Sequence, residues 1–165
     1  MCCAPCSTAV IERLQERGYY IALFFSNSNI YPREEFDKRL AEARKFASMQ
    51  RLELIVDGYD HQSWLDHIRG LEDEPEHAKR CIKCFEYNLG RTSTMAQQLG
   101  IPGFTTTLTV SRHKSSRDIF SIGSSLPGFL AMDFKKQDGY ARSITLAKQF
   151  ELYRQGYCGC EFSMR

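Results

Sequence analysis

The chain has 165 residues, 42% of them hydrophobic and 25% charged, with 11 Gly and 5 Pro, which describes one folded domain and excludes a disordered or collagen-like chain. No apolar run approaches the roughly 20 residues of a membrane helix, and residues 1–6 lack the basic and apolar stretches of an export signal, so the reading expects a cytoplasmic protein without a membrane partner. Net charge is only +2, but residues 1–82 carry 11 Lys/Arg against 14 Asp/Glu and residues 83–165 carry 11 against 6, so the second half permits a polyanionic partner without demanding one.

The first predicted element is a helix over residues 7–17, with Ser7 or Thr8 as cap, Val10, Ile11 and Leu14 as apolar stripe and Gly18 as stop. Tyr19 to Phe25 reads as a strand. Asn27-Ser28-Asn29 and Pro32 make a loop. A helix follows over 33–49, with Phe36, Leu40 and Phe46 on one face, then a strand from Leu52 to Val56. A short helix over 63–71 ends at the acidic loop 72–76. The helix over 78–99 carries Cys81 and Cys84 and stops before Gly100 and Pro102. Thr105 to Val110 is β-branched and reads as a strand, followed by a helix near 115–125, a strand over 129–134 and a helix over 142–152. Alternating strands and helices imply an α/β fold: a single three-layer domain over residues 1–165 with a mostly parallel, Rossmann-like sheet. Sites in such sheets collect at the carboxyl ends of strands. The cysteines at 2–6 sit where a first strand should have just ended, so the reading expects either a sheet that begins without it or a start upstream of Met1.

Seven cysteines fall in three tight clusters: Cys2, Cys3 and Cys6; Cys81 and Cys84; Cys158 and Cys160. An odd count in a chain without an export signal argues against disulfides. Core thiols would follow the apolar periodicity of their elements, and these lie beside Pro, Gly and Arg. Metal binding remains. Cys81 and Cys84 share a helix face one turn apart. Cys3 and Cys6 stand at a helix N-terminus, where the dipole favours thiolate. Neighbouring side chains on a turn diverge, so Cys2 and Cys3 are expected to face different ions. Seven thiolates exceed one tetrahedral zinc, leave two structural zincs a ligand short, and suit an iron–sulfur cluster plus a second metal with three protein ligands.

Other residues carry weaker signals. His61, His67, His77 and His113 show no metal spacing, and Trp64 reads as core. Asp133 ends a strand as a cap, a ligand or a proton donor, the cap being the plainer reading. Arg112, His113, Lys114, Arg117, Lys135, Lys136 and Arg142 suit phosphates or simply a solvated face. Arg80 lies next to Cys81, where a cation lowers a thiol pKa. The tail from Tyr153 to Cys160 shows no periodicity, and its order is expected to follow metal binding.

Taken together, Cys-Cys-Ala-Pro-Cys (2–6), Asn-Ser-Asn-Ile-Tyr-Pro (27–32), Glu35 to Arg39, Arg80-Cys-Ile-Lys-Cys-Phe85, Thr105 to Leu108, Asp133-Phe-Lys-Lys136, Gly139 to Ser143 and Leu152 to Cys160 resemble the epoxyqueuosine reductases of the QueH family, in order and almost end to end. The resemblance implies a HUP-type fold and reduction of epoxyqueuosine to queuosine in tRNA without cobalamin. It also implies a 4Fe–4S cluster, a neighbouring mononuclear iron and an electron donor. Its partner would be a tRNA carrying epoxyqueuosine in the anticodon loop. Relatives carry Asp at the position of Cys6, an exchange expected of a metal ligand, which nominates Cys6 for the second metal. Within that reading Asp133, Tyr153 and Tyr157 are candidate proton donors. Arg80, Arg154 and Gln155 would approach the base, with Tyr153 beside them, and Arg142 with the lysines would hold phosphates. Two rivals remain at this point. A tRNA thiolation-type iron–sulfur enzyme needs an ATP phosphate loop where Cys-Cys-Ala-Pro-Cys stands; a non-catalytic zinc module needs four thiolates per ion.

Overall fold

The computed structural model describes residues 1–164. Helix α1 (Ala4–Glu16) begins earlier than the capping signals suggest. Its N-cap is Cys3, extended at φ −160° and ψ 153°, and Pro5 sits in the first turn, where a fixed φ and a missing N–H cost nothing. Ser7 and Thr8 are not caps. Their hydroxyls donate to Cys3 O and Pro5 O, each at 2.9 Å.

Strand β1 (Ala22–Phe25) and strand β2 (Glu53–Val56) pair in parallel, Ala22 opposite Glu53 and Phe25 opposite Val56. Parallel pairing needs a crossover, supplied by helix α2 (Arg33–Gln50). Its apolar face, Phe36, Leu40 and Ala43, packs with Phe25 and Ile30. On the same face of β1, Leu23 packs with Ala4 and Ile11 of α1, Phe46 and Ala47 of α2, and Leu152. Helix α3 (His61–His67) starts where the Asp60 carboxylate accepts the Ser63 N–H at 3.0 Å. Helix α4 (Lys79–Gln98) runs through Cys81 and Cys84, and its lower face, Phe85, Leu89 and Ala96, packs with Phe104 and with Ile119 of helix α5 (Ser116–Gly123). Helix α6 (Gly139–Gln149) lies against α1. At its start only glycine fits: a Cβ on Gly139 would stand 1.8 Å from Phe134 O in the preceding loop and 3.0 Å from Arg13 Nη1 of α1.

Two of the four expected strands do not form among the described residues. Residues 107–110 are a 3-10 turn, and the segments near 104 and 129 meet only at one parallel bridge, Phe104 with Phe129. The cause is local. The Thr106 hydroxyl accepts the Leu108 N–H at 3.2 Å, and the Thr109 hydroxyl donates to Met132 O at 2.8 Å. These side chains occupy main-chain groups a ladder would use. The fold is α/β with parallel pairing, but the described sheet is two strands rather than a broad, mostly parallel one. Among the described residues no helix is long and apolar enough to cross a membrane.

The tail is anchored by protein contacts. Tyr153 N–H donates to Glu42 Oε2 at 2.9 Å and Tyr31 N–H to Gly159 O at 2.8 Å. Cys160 is buried against Trp64 and Ile68 of the α3 region, with Phe162 and Cys84 beside them. These contacts bring the amino-terminal turn, the start of α4 and the tail together.

Candidate metal centre

Cys2, Cys3 and Cys6 place their sulfurs within 4.8 Å of one another, Cys2 and Cys3 at 3.9 Å. The expected divergence of Cys2 and Cys3 does not occur. With Cys3 extended as N-cap and Cys6 in the first turn of α1, all three thiols gather at the helix start. The Cys3 and Cys6 thiols hydrogen-bond to Cys2, and the Lys114 ammonium adds to their effect, holding the Cys2 thiol well below its ordinary range. The same sharing pushes Cys3 up to about 12 and Cys6 well up. The trio therefore favours one thiolate, at Cys2, in the absence of a cation that stabilises more.

From α4, burial raises both Cys81 and Cys84, the latter to about 12. Cys81 Sγ accepts the His77 N–H at 3.2 Å, and Cys84 Sγ accepts from Asn88 Nδ2 at 3.4 Å. From the tail, Cys158 Sγ accepts from Lys114 Nζ at 3.1 Å. Burial raises the Cys160 thiol, against a hydrogen bond from Ser163. Lys114 is the electrostatic hub. Burial works against its charge, yet Cys158, Cys2 and Cys84 together lift its pKa well above normal, so it stays an ammonium. Cys2, Cys84, Cys158 and Lys114 line one small cavity of about 50 Å³. Cys2, Cys6, Cys158 and Lys114 also line a larger cavity of about 360 Å³, with Tyr140, Arg154 and Gln155 at its other walls.

This donor set fits a thiolate-held metal. All seven thiols are free. Three converge within bonding reach of a single ion, and a half-buried cation, Lys114, lies where several thiolates would concentrate negative charge. The two cavities share Cys2, Cys158 and Lys114, so metal and substrate would be neighbours.

The other nominated residues divide. Arg154, Gln155 and Tyr157 line the larger cavity, and the Tyr157 hydroxyl donates to Tyr31 O. Tyr153 is turned to α2, its hydroxyl 3.1 Å from Glu35 Oε2 and its ring under Lys38 Nζ at 3.5 Å. Asp133 Oδ1 accepts from Ser116 Oγ and from the Lys135 N–H, both at 3.1 Å, which is the turn-capping arrangement. Arg80 is buried, donates to Glu72 O at 2.8 Å and to Glu74 O, and so ties down the acidic loop. Arg142 grips Glu12 through two hydrogen bonds of 2.6 and 2.9 Å. None of these last four lines the larger cavity. Sequence reasoning treated Lys114 as a phosphate contact and passed over Tyr140. Nothing in the basic run around 112–117 marks Lys114 as the one turned toward thiols, since its partners are distant in the chain.

Similarity to known proteins accords with this geometry. The family described as epoxyqueuosine reductase QueH matches residues 1–165. The epoxyqueuosine reductase QueH of Streptococcus pyogenes serotype M1 is 36% identical, over 100% of this chain and 69% of its own length. That of Histophilus somni is 35% identical, over 99% and 70%. The Thermotoga maritima protein of the same name is 31% identical, over 99% and 88%. Matched from one end to the other, with Cys2, Cys84 and Cys158 around one half-buried lysine, the chain belongs to the epoxyqueuosine reductase QueH family.

Proposed function

We propose that the chain is the oxidoreductase of the last step of queuosine biosynthesis, reducing epoxyqueuosine at the wobble position of tRNA to queuosine. The observation that carries the reading is the wall of Cys2, Cys6, Cys158 and Lys114 shared with a cavity of about 360 Å³, beside the thiols that fit a metal. Epoxide, two electrons and two protons give an alkene and water, so the site needs an electron source, a polarising group and protons. When bound, a 4Fe–4S cluster supplies single electrons and an adjacent iron a Lewis acid. On this reading Cys81 and Cys84 hold the cluster, with one of Cys2/Cys3 and one of Cys158/Cys160. Cys6 holds the second metal with the remaining cysteines.

The chain's own side chains bind, orient and protonate. Lys114 Nζ holds a proton at the cavity wall and compensates thiolate charge. Of the candidate proton donors Asp133, Tyr153 and Tyr157, Tyr157 is the one that lines the cavity, with its hydroxyl proton resting on Tyr31 O, which it must leave to serve the substrate. The exposed Arg154 and the half-buried Gln155 face the incoming base from the cavity rim. Unstacked anticodon bases are read by Arg and aromatic groups, with Lys and Arg on the phosphates. The exposed Arg112, Arg117 and Lys136 suit that phosphate role. The Glu12 carboxylate already occupies Arg142. The reading also holds residues 1–165 to be one HUP-type unit in the cytoplasm, fed by an external electron donor.

Anaerobic purification followed by iron and acid-labile sulfide analysis, then turnover on an anticodon stem-loop carrying epoxyqueuosine, tests this. Iron, sulfide and loss of the epoxide are expected. A colourless protein carrying zinc without iron would replace the reading by a zinc module. Arg154→Ala should lower turnover with tRNA saturating, because it acts at the reacting group.

A further inference from the structure

Arg39 is 2% exposed, in the middle of α2. A buried guanidinium is costly unless its charge is paired and its N–H groups are used. Here both conditions are met, and the partners are specific. Nε donates to Glu35 Oε1 at 2.6 Å, one helical turn back on α2. The two terminal nitrogens reach across to the tail and donate to consecutive carbonyls, Cys158 O at 3.0 Å and Tyr157 O at 3.2 Å. The Tyr157 ring lies 5.2 Å from the guanidinium carbon. The next residue, Gly159, has φ +144°, and a Cβ there would come within 3.2 Å of Arg39 Nη1 and 3.3 Å of Ile30 Cγ1. The Tyr153 hydroxyl closes the set on the second Glu35 oxygen at 3.1 Å. Phe36 and Leu40, beside Arg39 on the same helix, are core residues, so the clamp is mounted on a rigid element.

We propose that Arg39 is a positioning residue for the metal site, its planar fork orienting the peptide units on either side of Cys158 so that the Cys158 and Cys160 thiols present to the site. A guanidinium does this and an ammonium does not. Two fixed N–H directions set two carbonyls at once, which constrains the backbone of Cys158 and with it the direction of its Cα–Cβ bond. The Sγ of the residue so held meets Lys114 Nζ at 3.1 Å. Glu35 neutralises the guanidinium, so its role is geometry rather than net charge. The proposal rests on the reading of Cys158 and Cys160 as metal ligands, and the test separates the two.

The experiment uses the full chain, prepared anaerobically, as wild type, Arg39→Lys and Arg39→Met. Arg39→Lys keeps a cation beside Glu35 and loses only the fork, so it serves if Arg39→Met does not fold. Metal is stripped, and Co²⁺ is titrated while the thiolate-to-cobalt charge-transfer band is followed. Peptide-resolved iodoacetamide labelling is run with and without Co²⁺. Arg39→Lys is expected to weaken Co²⁺ binding by about 10–100-fold, the usual effect of losing a group that orients a ligand. It should also lower the band per bound ion and speed labelling of Cys158 and Cys160, leaving Cys2, Cys3 and Cys6 unchanged. Wild-type affinity and band in Arg39→Lys would overturn the proposal, as would labelling that rises equally at all seven cysteines, the signature of a merely structural residue. If Co²⁺ protects neither Cys158 nor Cys160 in the wild type, the ligand reading fails. The labelling difference between wild type and Arg39→Lys without Co²⁺ still judges the clamp.

Discussion

The amino-terminal and carboxy-terminal cysteine segments reach the same site by opposite routes. Cys2, Cys3 and Cys6 are gathered by their own neighbourhood: an extended N-cap, a proline in the first turn and a helix start, all within residues 2–6. Cys158 and Cys160 have only a short 3-10 turn beside them, Glu161–Ser163, whose Ser163 hydroxyl donates to Cys160 O at 2.7 Å. Gly159 between them is held by Tyr31, and Cys160 is buried against Trp64, more than ninety residues earlier. A site assembled from one locally built half and one docked half should be damaged differently from its two ends.

The largest difference is expected at the ligands. Cys81→Ala should abolish the visible absorption and activity together, measured as iron, sulfide and turnover. Cys6→Ser should abolish turnover while keeping the cluster and losing about one metal per chain, as an open three-ligand site requires. Equal loss of all iron in both variants would erase the distinction between the two metals.

Next in size is the docking of the tail. Trp64 is fully buried, so Trp64→Ala should cost about 3–5 kcal/mol by denaturant unfolding. Limited proteolysis of that variant should cut the chain after Tyr153 before anywhere else. Early cutting near α1 instead would show that the amino-terminal half depends on the same wall. A smaller effect is expected from Gly159→Ala, where a left-handed φ and the Arg39 contact together put the cost at about 1–3 kcal/mol. Its thermal melt should shift without changing the labelling of Cys2.

Thiol reactivity sharpens the comparison without mutation. In metal-free protein near neutral pH, Cys2 should be alkylated first, because its thiol lies well below the ordinary range. Cys3 and Cys84, both pushed up to about 12, should lag. Raising the pH should close the gap. Simultaneous labelling of Cys2 and Cys3 at neutral pH would dissolve the shared-thiolate trio.

The smallest effect lies outside the site. Asp57, at the end of β2, accepts from Ser26 Oγ at 2.6 Å, from the Gly58 N–H at 2.9 Å and from Arg91. Burial opposes its charge, but Arg91 and Ser26 hold its pKa below the ordinary carboxylate value. The stability it contributes is therefore present above that ordinary value and lost as pH falls through the folded one. Asp57→Asn should flatten the acid limb of a stability–pH curve by under about 1 kcal/mol, because Arg91 is 43% exposed and solvent screens the pair. It should leave metal content untouched.

The sequence by itself determined what depends on near neighbours. Apolar periodicity located the helices over 33–50 and 79–98 to within a residue or two. The strands at 22–25 and 53–56 fell inside the apolar runs that predicted them. The clustering of seven thiols pointed to metal chemistry, because spacing along a helix or turn is a local quantity. Tertiary structure alone decided the rest. Thr106 and Thr109 diverted an apparent strand by bonding to main-chain groups, one of them at Met132. Asp133, Tyr153, Arg80 and Arg142, plausible around a reaction site by their place in the chain, were taken up by Ser116, Glu35, the 72–74 carbonyls and Glu12. Lys114 became the half-buried cation among thiols contributed by three separate segments. Which polar group meets which partner is set by burial, where an unpaired charge or donor is expensive. That pairing joins residues from opposite ends of the chain, beyond the reach of any reading by spacing.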